Sequence, residues 1–205
     1  MIDRWKLTNK KALVTGGTKG IGKAIVKEFV ALGAEVLIVA RNKADFTALQ
    51  NELNTEKISF MEADLSKKQD LKLLVQTTTK KWGSLDILVN NVGTNIRKKT
   101  IEYTEDEYDH ILNTNLRSAF ELSKLTYPLL KKSDQGNVIN ISSVAGQKHL
   151  RTGSIYGMTK AAIIQLTKNL AAEWAEDGIR VNAVAPWYIK TPLAETVLMN
   201  KVYYN

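Results

Sequence analysis

From Lys11 onward, short apolar runs rich in β-branched residues alternate with longer stretches of helical period, and this alternation constrains the chain more than any other feature. The runs are 11–15, 35–40, 57–63, 85–90, 137–142 and 179–185. Between them lie helical stretches at 20–32, 43–53, 67–82, 104–131 and 154–177, each long enough to carry the chain back across a sheet. Strands joined in this way run parallel. Right-handed crossovers put helices on both faces, so the expected fold is α/β with a doubly wound parallel sheet, whose ligands enter beyond the carboxyl ends of the strands. No repeat or Pro/Gly-rich linker breaks the pattern, and a chain of 205 residues that is 44% apolar supports one core, so a single domain over 1–205 is expected.

The charge balance of +8 invites a polyanion-binding reading, but its placement opposes one. The pairs Lys67-Lys68, Lys80-Lys81, Lys98-Lys99 and Lys131-Lys132 are scattered over expected helix ends and loops, as a solvated surface would have them. No nucleic-acid partner is expected. There is no cysteine, and His110 and His149 are the only histidines, which excludes disulfides and leaves no metal site to expect. The chemistry must be metal-free or use an organic cofactor. The opening Met1-Ile2-Asp3-Arg4-Trp5-Lys6 has no apolar leader, and no window approaches the roughly 18 apolar residues of a membrane span, so a cytoplasmic chain with no membrane partner is expected.

The first strand runs into Thr15-Gly16-Gly17-Thr18-Lys19-Gly20-Ile21-Gly22 and then a helix. Glycines there let the backbone turn tightly and approach a pyrophosphate, which the free N–H groups and positive end of the helix receive. This strand-to-helix setting points to a dinucleotide. The second strand ends Val39-Ala40-Arg41, without the acid that would bond the ribose hydroxyls of NAD; Arg41 and Lys19 offer cations to a ribose 2′-phosphate, which selects NADP(H).

Tyr156-Gly157-Met158-Thr159-Lys160 opens the last helical stretch, and its four-residue spacing puts phenol and ammonium on one face. A phenol exchanges protons poorly at neutral pH, and a nearby ammonium is expected to lower its pKa. Such pairs are common on helix surfaces, so the company matters. The fifth run ends in Ser142-Ser143, where a hydroxyl can enter the crevice, and Asn113-Thr114-Asn115 interrupts a helical apolar pattern in which Asn is poor filler.

These motifs together resemble the short-chain dehydrogenases/reductases, over about 7–193 of the chain. The resemblance implies a Rossmann-like sheet with catalytic Asn115, Ser143, Tyr156 and Lys160; Ser143 is preferred to Ser142 because it stands thirteen residues before Tyr156. It implies a cofactor site from Gly16, Thr18, Lys19, Gly20, Ile21 and Gly22 in the loop, Arg41, Asp64 and Leu65 near the adenine, Asn91, Val92 and Gly93 after the fourth strand, and Ile189 and Thr191 near the nicotinamide, with Tyr156 and Lys160 shared. The opening Asp3-Arg4-Trp5, Thr18-Lys19 and Pro192-Leu193-Ala194-Glu195 resemble the tropinone-reductase-like group. Val92 stands where the family has Ala, and Trp187 where it has Gly, which alters the expected substrate space.

The implied reaction is reduction of a ketone to a secondary alcohol, or its reverse. Tyr156 exchanges the proton, Ser143 holds the carbonyl oxygen, Lys160 lowers the Tyr156 pKa and bonds the ribose, and Asn115 fixes a relaying water. Ser143, Tyr156, His149, Leu150, Trp187, Tyr188 and Leu193 are the expected substrate contacts. The family also implies a homodimer or homotetramer and a further strand and helix after the sixth run, so this chain is expected to be truncated. A catalytically silent NADPH-binding module and an inactive truncated fragment are the competing readings.

Overall fold

A computed structural model describes residues 5–191 and Glu195. Its strands are β1 (Lys11–Thr15), β2 (Glu35–Ala40), β3 (Ile58–Glu62), β4 (Ile87–Asn90), β5 (Asn137–Ile141) and β6 (Arg180–Val184). The helices are α1 (Gly20–Ala31), α2 (Lys43–Leu53), α3 (Lys68–Trp82), α4 (Glu105–Leu112), α5 (Ser118–Leu130) and α6 (Ser154–Glu173). The sheet order is β3-β2-β1-β4-β5-β6, every pair being parallel. This is the doubly wound, Rossmann-like arrangement expected. Strand order reverses between β1 and β4, and helices leave these two strands toward opposite faces, so a crevice opens at their carboxyl ends.

Alternation along the strands divides the core. Leu13, Leu37, Val39, Leu88 and Val138 face Leu71 and Leu74 of α3, Leu122 and Leu129 of α5, and Leu170 of α6. Ala12, Val14, Val36, Ile38, Ile87 and Val89 face Val26 of α1 and Phe46 and Leu49 of α2. Period-two side chains on strands buried from both sides require continuous apolar runs, which is why the strands were legible. Phe46 also stacks on Phe60 of β3 with centroids 4.6 Å apart. Among the described residues β6 has a neighbour on one side only, and Val184 at its end is exposed. Among the same residues no helix is long and apolar enough to cross a membrane.

One expectation needs correction. The stretch 104–131 is not a continuous α-helix: α4 and α5 are separated by a π-turn over Asn113–Arg117. Thr104 and Glu107 form a reciprocal cap at the start of α4, and the wide turn then admits one residue more than an α-helix would, carrying Asn115 into the interior. Apolar spacing does not separate a π-turn from the α-helix around it.

The crevice floor is braced by a buried polar ladder. Asn90 Nδ2 donates to Asn140 Oδ1 (2.8 Å) and Ser123 Oγ (3.0 Å), and Asn140 Nδ2 donates to Thr167 Oγ1 (2.9 Å). The chain of bonds ties β4 and β5 to α5 and α6. Asn140→Ala should lower unfolding stability by about 2 kcal/mol, since it leaves buried partners unsatisfied. Urea denaturation checks this; an unchanged midpoint would show that the ladder contributes nothing net.

Candidate active site

A crevice of about 880 Å³ runs along the carboxyl ends of the strands and is lined from Gly16 at the β1–α1 loop to Tyr156 on α6. Its first wall is fastened by Thr15. The hydroxyl of Thr15 donates to Val89 O (3.1 Å) and accepts from the N–H groups of Asn91 (2.9 Å) and Val92 (3.1 Å), while Asn91 Nδ2 donates to Thr15 O (2.9 Å) and Gly16 O (3.2 Å). Gly16 has φ +63, and a Cβ on Gly22 would overlap the Gly16 carbonyl, so the loop can close on α1 only with glycine at both places. Lys19 caps α1 without using its side chain, which leaves the first turn's N–H groups open toward the crevice. Gly16, Thr18, Lys19, Gly20 and Ile21 line it, whereas Gly22 lies beneath, where it sets the loop's path. A phosphate-bearing dinucleotide suits this backbone cradle.

At the second strand's end Arg41, Asp45, Asp64 and Leu65 line the same crevice. Lys19 Nζ pairs with Asp45 (2.8 Å), so the two cations expected to act together are differently employed. Arg41 forms no ion pair among the described residues. Burial pushes the Asp64 carboxyl up, but bonds from the Ser66 hydroxyl and backbone, with Arg41 and Lys67 near, outweigh it and hold the group below the usual range.

At the other end the first turns of α6 bring Tyr156 and Lys160 to the wall. Lys160 is 4% exposed, its Nζ donates to Ile141 O (2.8 Å), and it lies 5.7 Å from the Tyr156 ring centroid. Ser143 accepts from Ala145 N (3.1 Å) just beyond β5, and its side chain lies near enough to Tyr156 to oppose the rise of the phenol's pKa. Ser142 instead is buried and donates to Lys160 O (2.7 Å), which anchors the helix. Burial raises the Tyr156 pKa, with the Ser143 bond and the Arg97 charge opposing; burial also depresses Lys160 to about 8. The expected lowering of Tyr156 by Lys160 is therefore not the net effect in this structure. Desolvation drives both groups toward their neutral forms.

Asn115, 2% exposed, does not line the crevice. Its Oδ1 accepts from Thr94 N (2.8 Å) and its Nδ2 donates to Thr94 O (2.9 Å) and Thr159 Oγ1 (3.2 Å). The amide's partners tie the segment following Gly93 to α6 beside Lys160. Val92 and Gly93 line the crevice with Asn91, as do Ile189 and Thr191.

The wall near Tyr156 differs from expectation. Leu150, Trp187 and Tyr188 lie on it, the two rings meeting edge-to-face, but His149 is exposed and off it, and Leu193 falls outside the described residues. The histidine on the wall is His110, and Thr94, Asn95, Arg97, Thr114 and Thr152 join it. Sequence reasoning missed Thr94, Asn95 and Arg97 because the connection 91–104 has no periodicity, and Arg97 reads there as one more cation before Lys98-Lys99. Three wall atoms are buried without a hydrogen-bond partner: Asn95 Oδ1, Arg97 Nε and Thr114 Oγ1.

Comparison with known proteins decides the family. The family model described as short chain dehydrogenase matches residues 10–201. The chain belongs to the short-chain dehydrogenase family. A tropinone reductase homolog of Arabidopsis thaliana is 51% identical over 98% of this chain and 77% of its own length. A second homolog from that plant, named as chloroplastic, is 48% identical over 98% of this chain and 63% of its own. Among solved structures, gox2181 superposes with TM-score 0.94 at 30% identity, covering 100% of this chain and 82% of that one. The NADP active-site complex of Pseudomonas aeruginosa RhlG gives 0.89 at 31%, covering 97% and 80%.

This short-chain dehydrogenase, of the tropinone-reductase-like group, is thus an oxidoreductase of a family that binds a nicotinamide cofactor and acts on small molecules. Its buried lysine has a measurable cost. The unfolded Lys160 keeps its proton up to about 10.5, whereas the folded one releases it above about 8; between these values the unfolded state holds more protons, so stability rises with pH. Below 8 the penalty is present in full, of order 3 kcal/mol from the size of the shift. Lys160→Met should therefore be more stable than the parent by about 1–3 kcal/mol near neutral pH, after the lost Ile141 bond is allowed for, with the gap closing toward pH 10. Denaturation of both chains across that pH range tests this; a constant difference would refute it.

Proposed function

We propose that the chain transfers hydride between NADP(H) and a ketone or secondary alcohol, with Tyr156 as the residue that moves the proton. The observation carrying this reading is that Ser143, Tyr156 and Lys160 line one crevice, with the Lys160 Nζ 5.7 Å from the Tyr156 ring centroid, and that the far end of this crevice is the glycine loop. The residues fit a dinucleotide: Gly16 to Ile21 with the open first turn of α1 would hold the pyrophosphate, Asp64 and Leu65 the adenine, and Asn91 to Gly93, Ile189 and Thr191 the nicotinamide half. When bound, the cofactor supplies or accepts the hydride. In the reducing direction the Tyr156 hydroxyl gives its proton to the carbonyl oxygen, and the Ser143 hydroxyl holds that oxygen. The burial that raises the Tyr156 pKa keeps this donor protonated at neutral pH. Lys160, protonated below about 8, lends positive charge behind Tyr156 as the phenolate forms. Asn115 acts as a positioning residue by pinning Thr94 against α6.

Arg41 supports NADP(H) over NAD(H). With Lys19 engaged by Asp45, Arg41 is, among the described residues lining the adenosine end, the cation without an ion pair, and guanidinium suits bidentate phosphate contact. The relative solved with NADP agrees with this preference.

Tyr156→Phe should lower turnover by about 10²- to 10⁴-fold while NADPH still binds; oxidation followed at 340 nm with a panel of cyclic ketones, beside a fluorescence titration, checks it. Near-parental turnover would remove Tyr156 from the chemistry. Separately, Arg41→Asp should cut kcat/KM for NADPH at least about tenfold and shift preference to NADH, because a charge-assisted bond is replaced by repulsion. An unaltered NADPH/NADH ratio would overturn the assignment of the 2′-phosphate to Arg41.

A further inference from the structure

The charges around the crevice are unevenly distributed. Among the described residues its only lining carboxylates, Asp45 and Asp64, belong to the adenosine end, and Asp45 is neutralised by Lys19. Toward Tyr156 the basic side chains on the lining are, among the described residues, Arg97, His110 and Lys160, and no carboxylate stands with them. Lys160 is turned to the Ile141 carbonyl. Arg97 has no such employment: it forms no ion pair among the described residues, and its buried Nε has no hydrogen-bond partner. Of the acids that follow it in the chain, Glu102 accepts from the Lys99 N–H and Glu107 from Lys98 and Thr104, while Glu105 and Asp106 are exposed in the first turn of α4 and form no ion pair with it.

A guanidinium nitrogen removed from water and left without an acceptor is costly unless something brings an acceptor to it. Arg97 lines the same crevice as Tyr156, and its charge opposes the rise of the Tyr156 pKa, so it belongs to the reacting end. We propose that Arg97 is a specificity-determining residue that binds an anionic group on the substrate, so that the preferred substrate is a ketone, or its alcohol, carrying a carboxylate. A planar guanidinium with donors in a fixed fork matches a carboxylate, and burial of Nε strengthens the bond by excluding water. The same charge disfavours a ketone bearing a protonated amine. Leu150, Trp187 and Tyr188 give the carbon skeleton an apolar and aromatic wall, so the anion is asked to complement only one corner. This inference rests on the reductase reading for the identity of the reacting group, but the anion site can be tested without turnover.

The test uses cyclohexanecarboxylate and the uncharged cyclohexanecarboxamide, titrated calorimetrically into the NADP-loaded chain. The carboxylate should bind about ten- to a hundredfold more tightly, the range of one hydrogen bond to a charged group. That advantage should vanish in Arg97→Gln, persist in large part in Arg97→Lys, and be unchanged in the nearby surface variant Lys99→Gln. Equal affinities in the parent, undetectable carboxylate binding, or an advantage that survives Arg97→Gln would overturn the proposal. Reduction of 4-oxocyclohexanecarboxylate against its methyl ester then separates the two readings. A charge preference in calorimetry with neither ketone reduced would sink the reductase reading and keep the anion site; reduction of both ketones at one rate, with no preference in calorimetry, would do the reverse.

Discussion

The hydroxyl of Thr15 is the small constraint on which the crevice depends. Strands β1 and β4 are neighbours in the sheet, but the chain leaves them in opposite directions, and such a junction would gape without a fastening. Thr15 closes it by donating to Val89 and accepting from two successive N–H groups beyond β4, and Asn91 returns the contact to the carbonyls of Thr15 and Gly16. The path of the glycine loop and that of the 91–95 segment are thereby set against each other. Asn115 then fixes the same segment to α6 through Thr94 and Thr159, so three connections far apart in sequence share one frame.

That frame houses an environment hostile to charge. Tyr156 and Lys160 are both pressed toward neutrality by burial, the phenol upward and the ammonium downward. A site optimised for stability would have an apolar residue where Lys160 stands. The lysine instead occupies the interior with one carbonyl for support, and the expense is offset across the two apolar faces of the sheet. Local strain on stability at a crevice, with a well-satisfied polar ladder of Asn90, Asn140 and Thr167 just below it, separates groups arranged for reaction from groups arranged for cohesion.

Most of the fold could be read from the sequence because strands such as β2 are buried on both sides through 36–39 and so are apolar at each of those positions. The glycine loop and the Tyr156/Lys160 pair were legible for a related reason: spacing along a regular element fixes direction. What escaped lies where direction is not periodic. Asn115 stood out as poor helix filler, but nothing in its neighbours' spacing disclosed the π-turn that carries it inward or the Thr94 backbone that occupies its amide. Arg97 and His110 reach the wall from an irregular connection and the end of α4, whereas His149, expected there after the fifth strand, does not line it. Likewise the ion pair of Lys19 with Asp45 joins two elements whose approach no local pattern encodes.

The π-turn between α4 and α5 also works as a phase shifter. Upstream, Ile111 is buried; downstream, Leu122, Ser123, Thr126, Leu129 and Leu130 form the buried stripe. Each residue of an α-helix advances the azimuth by about 100°, so loss of a single residue within 113–117 would rotate one stripe relative to the other by about that angle. Either Ile111 or the α5 stripe would then look outward. The extra residue that serves Asn115 is thus also a spacer in an angular code, and the helix pair can neither shed it nor duplicate it without repacking one side of the sheet.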